Sequence, residues 1–171
     1  MNAKTRRERI LTALEQACEP VSATALAGEL KVSRQVIVGD IALLRAAGCD
    51  ITATPRGYII PSNSGLIRRL ACVHSAQQTR EELYLMVDCG CTVLDVVVEH
   101  PVYGQITGAL QLSSRFDVDQ FVEKMLHSEA RPLSALTEGV HLHTLSCPSE
   151  AIFAHLQQQL QAAGMLLAEK V

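Results

Sequence analysis

Residues 61–65 read Pro-Ser-Asn-Ser-Gly, and no other stretch constrains the chain as much. Five consecutive turn-forming residues fit neither a helix interior nor a strand interior. They divide the 171 residues into a short head and a longer tail with different patterns. A chain of this length holds one medium domain or two small ones. The linker selects two, residues 1–62 and 66–171.

The head reads as three short helices and a hairpin. Ile10, Leu11 and Leu14 recur at helical spacing over residues 5–18, with Thr5 and Glu8 at capping-box spacing. Ser22 caps ATALAGEL, the turn Lys31-Val32-Ser33 follows, and Ser33 caps a third helix that Gly48 ends. ITAT and GYII then flank Pro55-Arg56-Gly57, a hairpin signal. Helices joined by a three-residue turn and followed by a hairpin make a winged helix-turn-helix arrangement. It predicts that the third helix enters a DNA major groove with its first residues on base edges. Those residues are Ser33, Arg34, Gln35 and Val38. Arg suits guanine, Gln suits adenine, and an apolar side chain touches the thymine methyl. Arg56 at the wing tip is expected on a phosphate or in the minor groove, and Arg6, Arg7 and Arg9 on phosphates. The head carries eight Lys/Arg against six Asp/Glu, the tail seven against twelve. A mildly basic head on an acidic body fits a polyanionic partner. The same helices also suit a protein-contact module, with Arg34 and Gln35 merely solvated.

The tail mixes strand and helix patterns. Strands are expected at residues 66–73, 92–99, 105–112, 139–146 and 165–169, and helices at 79–87, 117–127 and 149–163. That is an α+β domain on one mostly antiparallel sheet. With 48% hydrophobic and 19% charged residues, the chain has the material for cores and is not disordered. It has no run of 18 apolar residues, which excludes a helical membrane span. The charged start MNAKTRRERI lacks the apolar stretch of a signal peptide, so a cytoplasmic location is expected. Six cysteines, at 18, 49, 72, 89, 91 and 147, include no CxxC pair. They are expected reduced and structural. Cys89-Gly90-Cys91 reads as a turn after a helix, with a redox or metal pair as the alternative.

The stretch GVHLHTLSCP, residues 139–148, carries the sharpest chemical signal. Residues two apart in a strand share a face, so His141 and His143 project side by side. His74 follows another strand and Glu82 lies at the start of a helix. Three imidazoles and a carboxylate suit Zn²⁺, Ni²⁺, Co²⁺ or Fe²⁺ better than Ca²⁺ or Mg²⁺. Spacing alone leaves open that these histidines are structural and that Glu82 is the capping-box partner of Thr79. His127 and His155 are expected at the surface.

SRQVIVGDIALLRAAG followed by TATPRGYII resembles the DNA-binding head of the niacin-responsive repressors. HSAQQTREELYLMVDCG, LDVVVEHPVYGQI and PLSALTEGVHLHTL resemble their three-histidine (3H) domain. The resemblance runs over residues 5–170. It implies a homodimer that binds a palindromic double-stranded DNA operator and represses genes of niacin uptake and NAD synthesis, with nicotinic acid as co-repressor. It implies one divalent transition metal per chain, nickel or zinc, on His74, Glu82, His141 and His143. It places His100 and Tyr103, in EHPVYG, at the effector pocket. Gly39 departs from the family pattern: inside a helix it costs about 1 kcal/mol relative to Ala and offers DNA no side chain. One alternative is a metal-dependent hydrolase of a nicotinate-like amide or ester, with Glu99 or His100 as base. Another is a repressor that answers a metal, or an oxidant through Cys89 and Cys91.

Overall fold

The computed structural model describes residues 2–17, 19–61, 65–128 and 131–167. It divides into two compact units, Met1–Ser62 and Asn63–Val171. Among the described residues, no helix is long and apolar enough to cross a membrane.

The head contains α1 (Ala3–Gln16), α2 (Ala23–Leu30), α3 (Arg34–Ala46), β1 (Thr52–Thr54) and β2 (Gly57–Ile59). Asn2, not Thr5, caps α1: its side chain accepts from the Thr5 N–H at 2.8 Å. The helix ends at Gln16, and Cys18, its expected last residue, lies outside the described residues. Ser22 and Ser33 cap α2 and α3 as their positions predict. Ile10, Leu14, Leu26, Leu30, Ile37, Ile41, Leu44 and Ile51 form one buried cluster. β1 and β2 pair antiparallel around Pro55-Arg56, and Tyr58 of β2 also bridges to Val21. Gly57 sits where that bridge closes. A Cβ there would come within 2.4 Å of the Val21 carbonyl oxygen, so only glycine fits.

The tail contains β3 (Leu66–Val73), α4 (Thr79–Asp88), β4 (Thr92–His100), β5 (Gly104–Leu112), α5 (Arg115–His127), β6 (Val140–Cys147) and α6 (Glu150–Ala162). The sheet runs in the order β3-β6-β4-β5, and every neighbouring pair is antiparallel. The expected final strand is a single bridge, Leu166 to Cys72, and residues 168–169 of that expectation lie outside the described residues. Leu83 and Met86 of α4, Val118 and Val122 of α5, and Leu156 and Leu160 of α6 pack on Leu70, Val93, Leu112 and Leu145 of the sheet. The expected helix at 117–127 begins earlier, at Arg115: Ser114 caps α5, with Asp117 completing the capping box at its third position.

The start of α4 corrects a sequence expectation. A 3-10 turn, Ala76–Gln78, precedes it, and the capping box is Ser75 with Gln78, whose side chain accepts from the Ser75 N–H at 3.2 Å. Thr79 therefore does not cap, and Glu82 has no capping role. Glu82 instead falls on the inward stripe with Leu83 and Met86, wholly buried.

Candidate metal centre and DNA interface

A carboxylate in an apolar core needs partners, and the three histidines surround Glu82. Its carboxylate lies 2.7 Å from His74 Nε2, 3.1 Å from His141 Nε2 and 3.4 Å from His143 Nε2. β6 supplies His141 and His143 on one face, ring centroids 4.9 Å apart and edge to face. β3 delivers His74 just past its last residue, its ring 4.9 Å from that of His141. The four are 9%, 0%, 3% and 3% exposed in chain order, so whatever neutralises the carboxylate must do so without bulk water.

The far nitrogens settle which way the rings face. His74 Nδ1 donates to the Ser75 carbonyl at 2.8 Å, His141 Nδ1 to the Gly139 carbonyl at 2.8 Å, and His143 Nδ1 to the Asp95 carbonyl at 2.7 Å. A carbonyl oxygen only accepts, so each Nδ1 carries the proton and each neutral ring turns its Nε2 lone pair inward. A ligating histidine is held this way, its other N–H fixed by a carbonyl or carboxylate. Two backbone features make these bonds possible. The register of β4 shifts between Val93 and Asp95, a bulge of the kind that re-aims groups beside sites, and here it lays the Asp95 carbonyl on His143. Gly139 has φ +92°, and a Cβ on it would lie 2.4 Å from the His74 carbonyl oxygen.

Three lone pairs and a carboxylate that point at one another repel unless protons or a cation lie between them. His74 Nε2 sharpens the point. Despite its 2.7 Å approach to Glu82 it is buried without a hydrogen-bond partner among the described residues, whereas His141 Nε2 lies within hydrogen-bond distance of both Glu82 oxygens, at 3.1 and 3.4 Å. Nitrogen and oxygen donors that converge on one buried point fit a divalent transition ion. Without one, protons take its place. Burial alone would push the His74 and His143 imidazoles down, but the Glu82 carboxylate outweighs it and holds both above the ordinary imidazole value. Burial would likewise raise Glu82, but the charge of His143 and the surrounding imidazoles hold it well below the usual carboxylate range.

The structure adds a residue that the sequence did not single out. Cys72, in β3, places its Sγ within 4.8 Å of ligand atoms of both Glu82 and His141. Strand alternation puts Cys72 on the face of Leu70, but only the β3–β6 register brings it to His141. His100 ends β4 and Tyr103 lies in the turn after it. Their rings contact each other at 5.0 Å at the β4–β5 turn, and Tyr103 is 77% exposed. His100 Nδ1 accepts from the Val102 and Tyr103 N–H groups. Neither lines the cavity of about 310 Å³ beside His74, whose walls include Ser75, Ser134, Glu138 and Gly139. The Cys89-Gly90-Cys91 pair is split as well. Cys91 Sγ faces Cys147 Sγ at 3.2 Å and Cys89 faces Gln159, and all five described cysteines are free.

In the head, Ser33, Arg34 and Gln35 are exposed at the start of α3, Val38 is half-buried, and Gly39 is exposed with open space where a Cβ would stand. The Ser33 hydroxyl is committed to the Val36 N–H at 3.3 Å. Arg56 reaches back to Glu19 at 3.4 Å and is only 18% exposed. Arg6 and Arg7 do not simply face solvent. Both pair with Asp40 of α3, at 2.5 and 3.5 Å, and Asp40 is 4% exposed. Arg9 pairs with Glu29 at 3.6 Å.

A helix-turn-helix head with a wing, joined to an α+β tail built round a buried His₃–Glu cluster, defines a class of DNA-binding regulator. Residues 6–59 match the family model of an HTH domain and residues 67–169 that of the 3H domain. The "Probable transcription repressor NiaR" of Thermotoga maritima is 45% identical over 174 residues, 99% of either chain. The "Transcription repressor NadR" of Bacillus subtilis is 43% identical over 169 residues, 96% of this chain and 94% of its own. The chain belongs to the 3H-domain family of transcription repressors.

Proposed function

We propose that this protein is a cytoplasmic repressor of genes of niacin uptake and NAD synthesis, acting as a homodimer on a palindromic operator with nicotinic acid as co-repressor. Near-full-length similarity to two transcription repressors supports the DNA-binding role. The observation that carries the regulatory half is the set of three Nδ1–carbonyl bonds, which turn three lone pairs onto Glu82. His74, Glu82, His141 and His143 would hold one divalent transition ion, nickel or zinc. Such an ion supplies a Lewis-acidic partner for a carboxylate ligand. His74 also walls the neighbouring cavity, whose size matches the lower end of small-molecule sites, about 300 Å³. Ser33, Arg34, Gln35 and Val38 would read base edges, and Arg56 would reach the backbone after leaving Glu19. The hydrolase alternative lacks support, since Glu99 is exposed and bonded to Gln105, and His100 Nδ1 is committed to the Val102 and Tyr103 N–H groups.

Calorimetry with nicotinic acid, before and after chelation, is the deciding test. Binding that vanishes on chelation and returns with zinc or nickel supports the proposal. Binding unchanged by chelation removes the ion from effector sensing. No binding in either state removes nicotinic acid and leaves another signal to be found.

A further inference from the structure

We propose that Cys72 is a fifth protein ligand of the tail's metal centre, held as a thiolate beside Glu82 and His141; this rests on the metal reading above. The register sets Cys72 directly opposite His141 in the β3–β6 ladder. Opposed residues on one face of an antiparallel pair hold their Cβ atoms about 4.5–5.5 Å apart, so both side chains address one point above the sheet. The Cys72 sulfur, a Glu82 oxygen and a His141 nitrogen all lie within 4.8 Å of one another. Cys72 is 0% exposed, so solvent does not compete for its sulfur.

Charge balance supports the assignment. Three neutral imidazoles and one carboxylate leave a divalent ion with a net charge of +1, and a buried uncompensated charge is costly. A thiolate brings the centre to neutrality. As the sulfur–metal bond forms, the S–H bond breaks: the sulfur keeps the electron pair and the proton passes to buffer. Thiolate is also the softest donor of the set, which favours zinc or cobalt over harder ions. The other described cysteines stand apart from the cluster. Cys49 lies in the head, Cys89 faces Gln159, and Cys91 and Cys147 face each other.

Cobalt reports sulfur directly. The full-length protein would be stripped with a chelator, reloaded with Co²⁺ and its absorption spectrum recorded. The expected spectrum shows visible d–d bands and an intense near-ultraviolet thiolate-to-cobalt band. That band should be lost in Cys72→Ser and Cys72→Ala and kept in Cys147→Ser, with d–d bands present throughout. Visible bands without the charge-transfer band, or a charge-transfer band that survives Cys72→Ser, overturn the thiolate assignment and leave the metal reading standing. No visible bands at all overturn both. Cadmium NMR of the unaltered chain tests the same ligand without a core substitution. A sulfur donor moves the resonance far from the range of nitrogen and oxygen ligation, and a resonance inside that range overturns the assignment.

Discussion

Glycine marks the two extremes of tolerance at the level of single residues. Gly139 combines φ +92° with a Cβ position 2.4 Å from the His74 carbonyl oxygen, and its own carbonyl anchors His141. Gly139→Ala must therefore push His74 away and loosen the His141 ring together. Disturbing groups that orient metal ligands costs about 10–100-fold in affinity. A loss of that size is expected in chelator competition, and an unchanged affinity would mean the backbone at 139 does not set the cluster. Gly39 is the opposite case, exposed within α3 with nothing near its Cβ position. Gly39→Ala should stabilise the head by about 0.4–1 kcal/mol in denaturant titration. Protonation of the cluster is predictable in sign. His74 and His143 are held above the ordinary imidazole value. Without metal, the stability they contribute is complete below about pH 6.5, the unfolded imidazole value, and is lost as pH rises through their raised values. Glu82 is depressed, so its contribution is present above the ordinary carboxylate range and is lost as pH falls through its lowered value. On the proposed metal reading, an ion would compete with protons for the same Nε2 atoms, so zinc should reverse the first trend. Melting curves above about pH 6.5 should fall with pH under chelator and rise with zinc, and parallel curves would exclude the cluster as the zinc site.

Ion pairs and caps decide matters at the level of elements, and here the sequence was legible only in part. Periodicity defines the three head helices, and the strand at Leu66–Val73 appears with its predicted bounds. The side-by-side placement of His141 and His143 follows from strand alternation alone. What escaped was long-range pairing. Thr79 and Glu82 have capping-box spacing, but Ser75 and Gln78 cap a turn earlier and rotate Glu82 into the core. Cys72 and His141 meet through a register that joins residues 69 apart in sequence, which no local pattern specifies. Arg6 and Arg7 look like phosphate contacts, but Asp40 binds both and ties α1 to α3. This distinction is testable. Arg6→Ala leaves a buried carboxylate without its nearest partner, so the denaturation midpoint of the head should fall. A pure phosphate contact would instead lower the salt dependence of DNA binding and leave stability intact. In the tail, α6 buries Leu156 and Leu160 completely. Leu156→Ala should cost about 2–5 kcal/mol, read as a lower unfolding midpoint.

At the scale of the whole molecule, the described residues form two cores, one per unit, and the proposed regulation requires that the tail's ligand state alter what the head does. Thermodynamics constrains this without any knowledge of the path. If nicotinic acid raises operator affinity by some factor, operator DNA must raise nicotinic acid affinity by the same factor. Couplings of this kind are typically about 1–3 kcal/mol, or 5–150-fold, large enough to measure from both sides. Operator titrations with and without saturating nicotinic acid give one factor, and calorimetry of nicotinic acid on free and operator-bound protein gives the other. Equal factors are expected for the metal-loaded protein. His141→Ala, which removes an inward-facing lone pair of the tail's cluster, should reduce both to one while bare operator affinity is retained. Coupling that survives in His141→Ala would place the sensing chemistry away from the cluster. A factor of one in the metal-loaded wild type would show that this repressor answers a different signal.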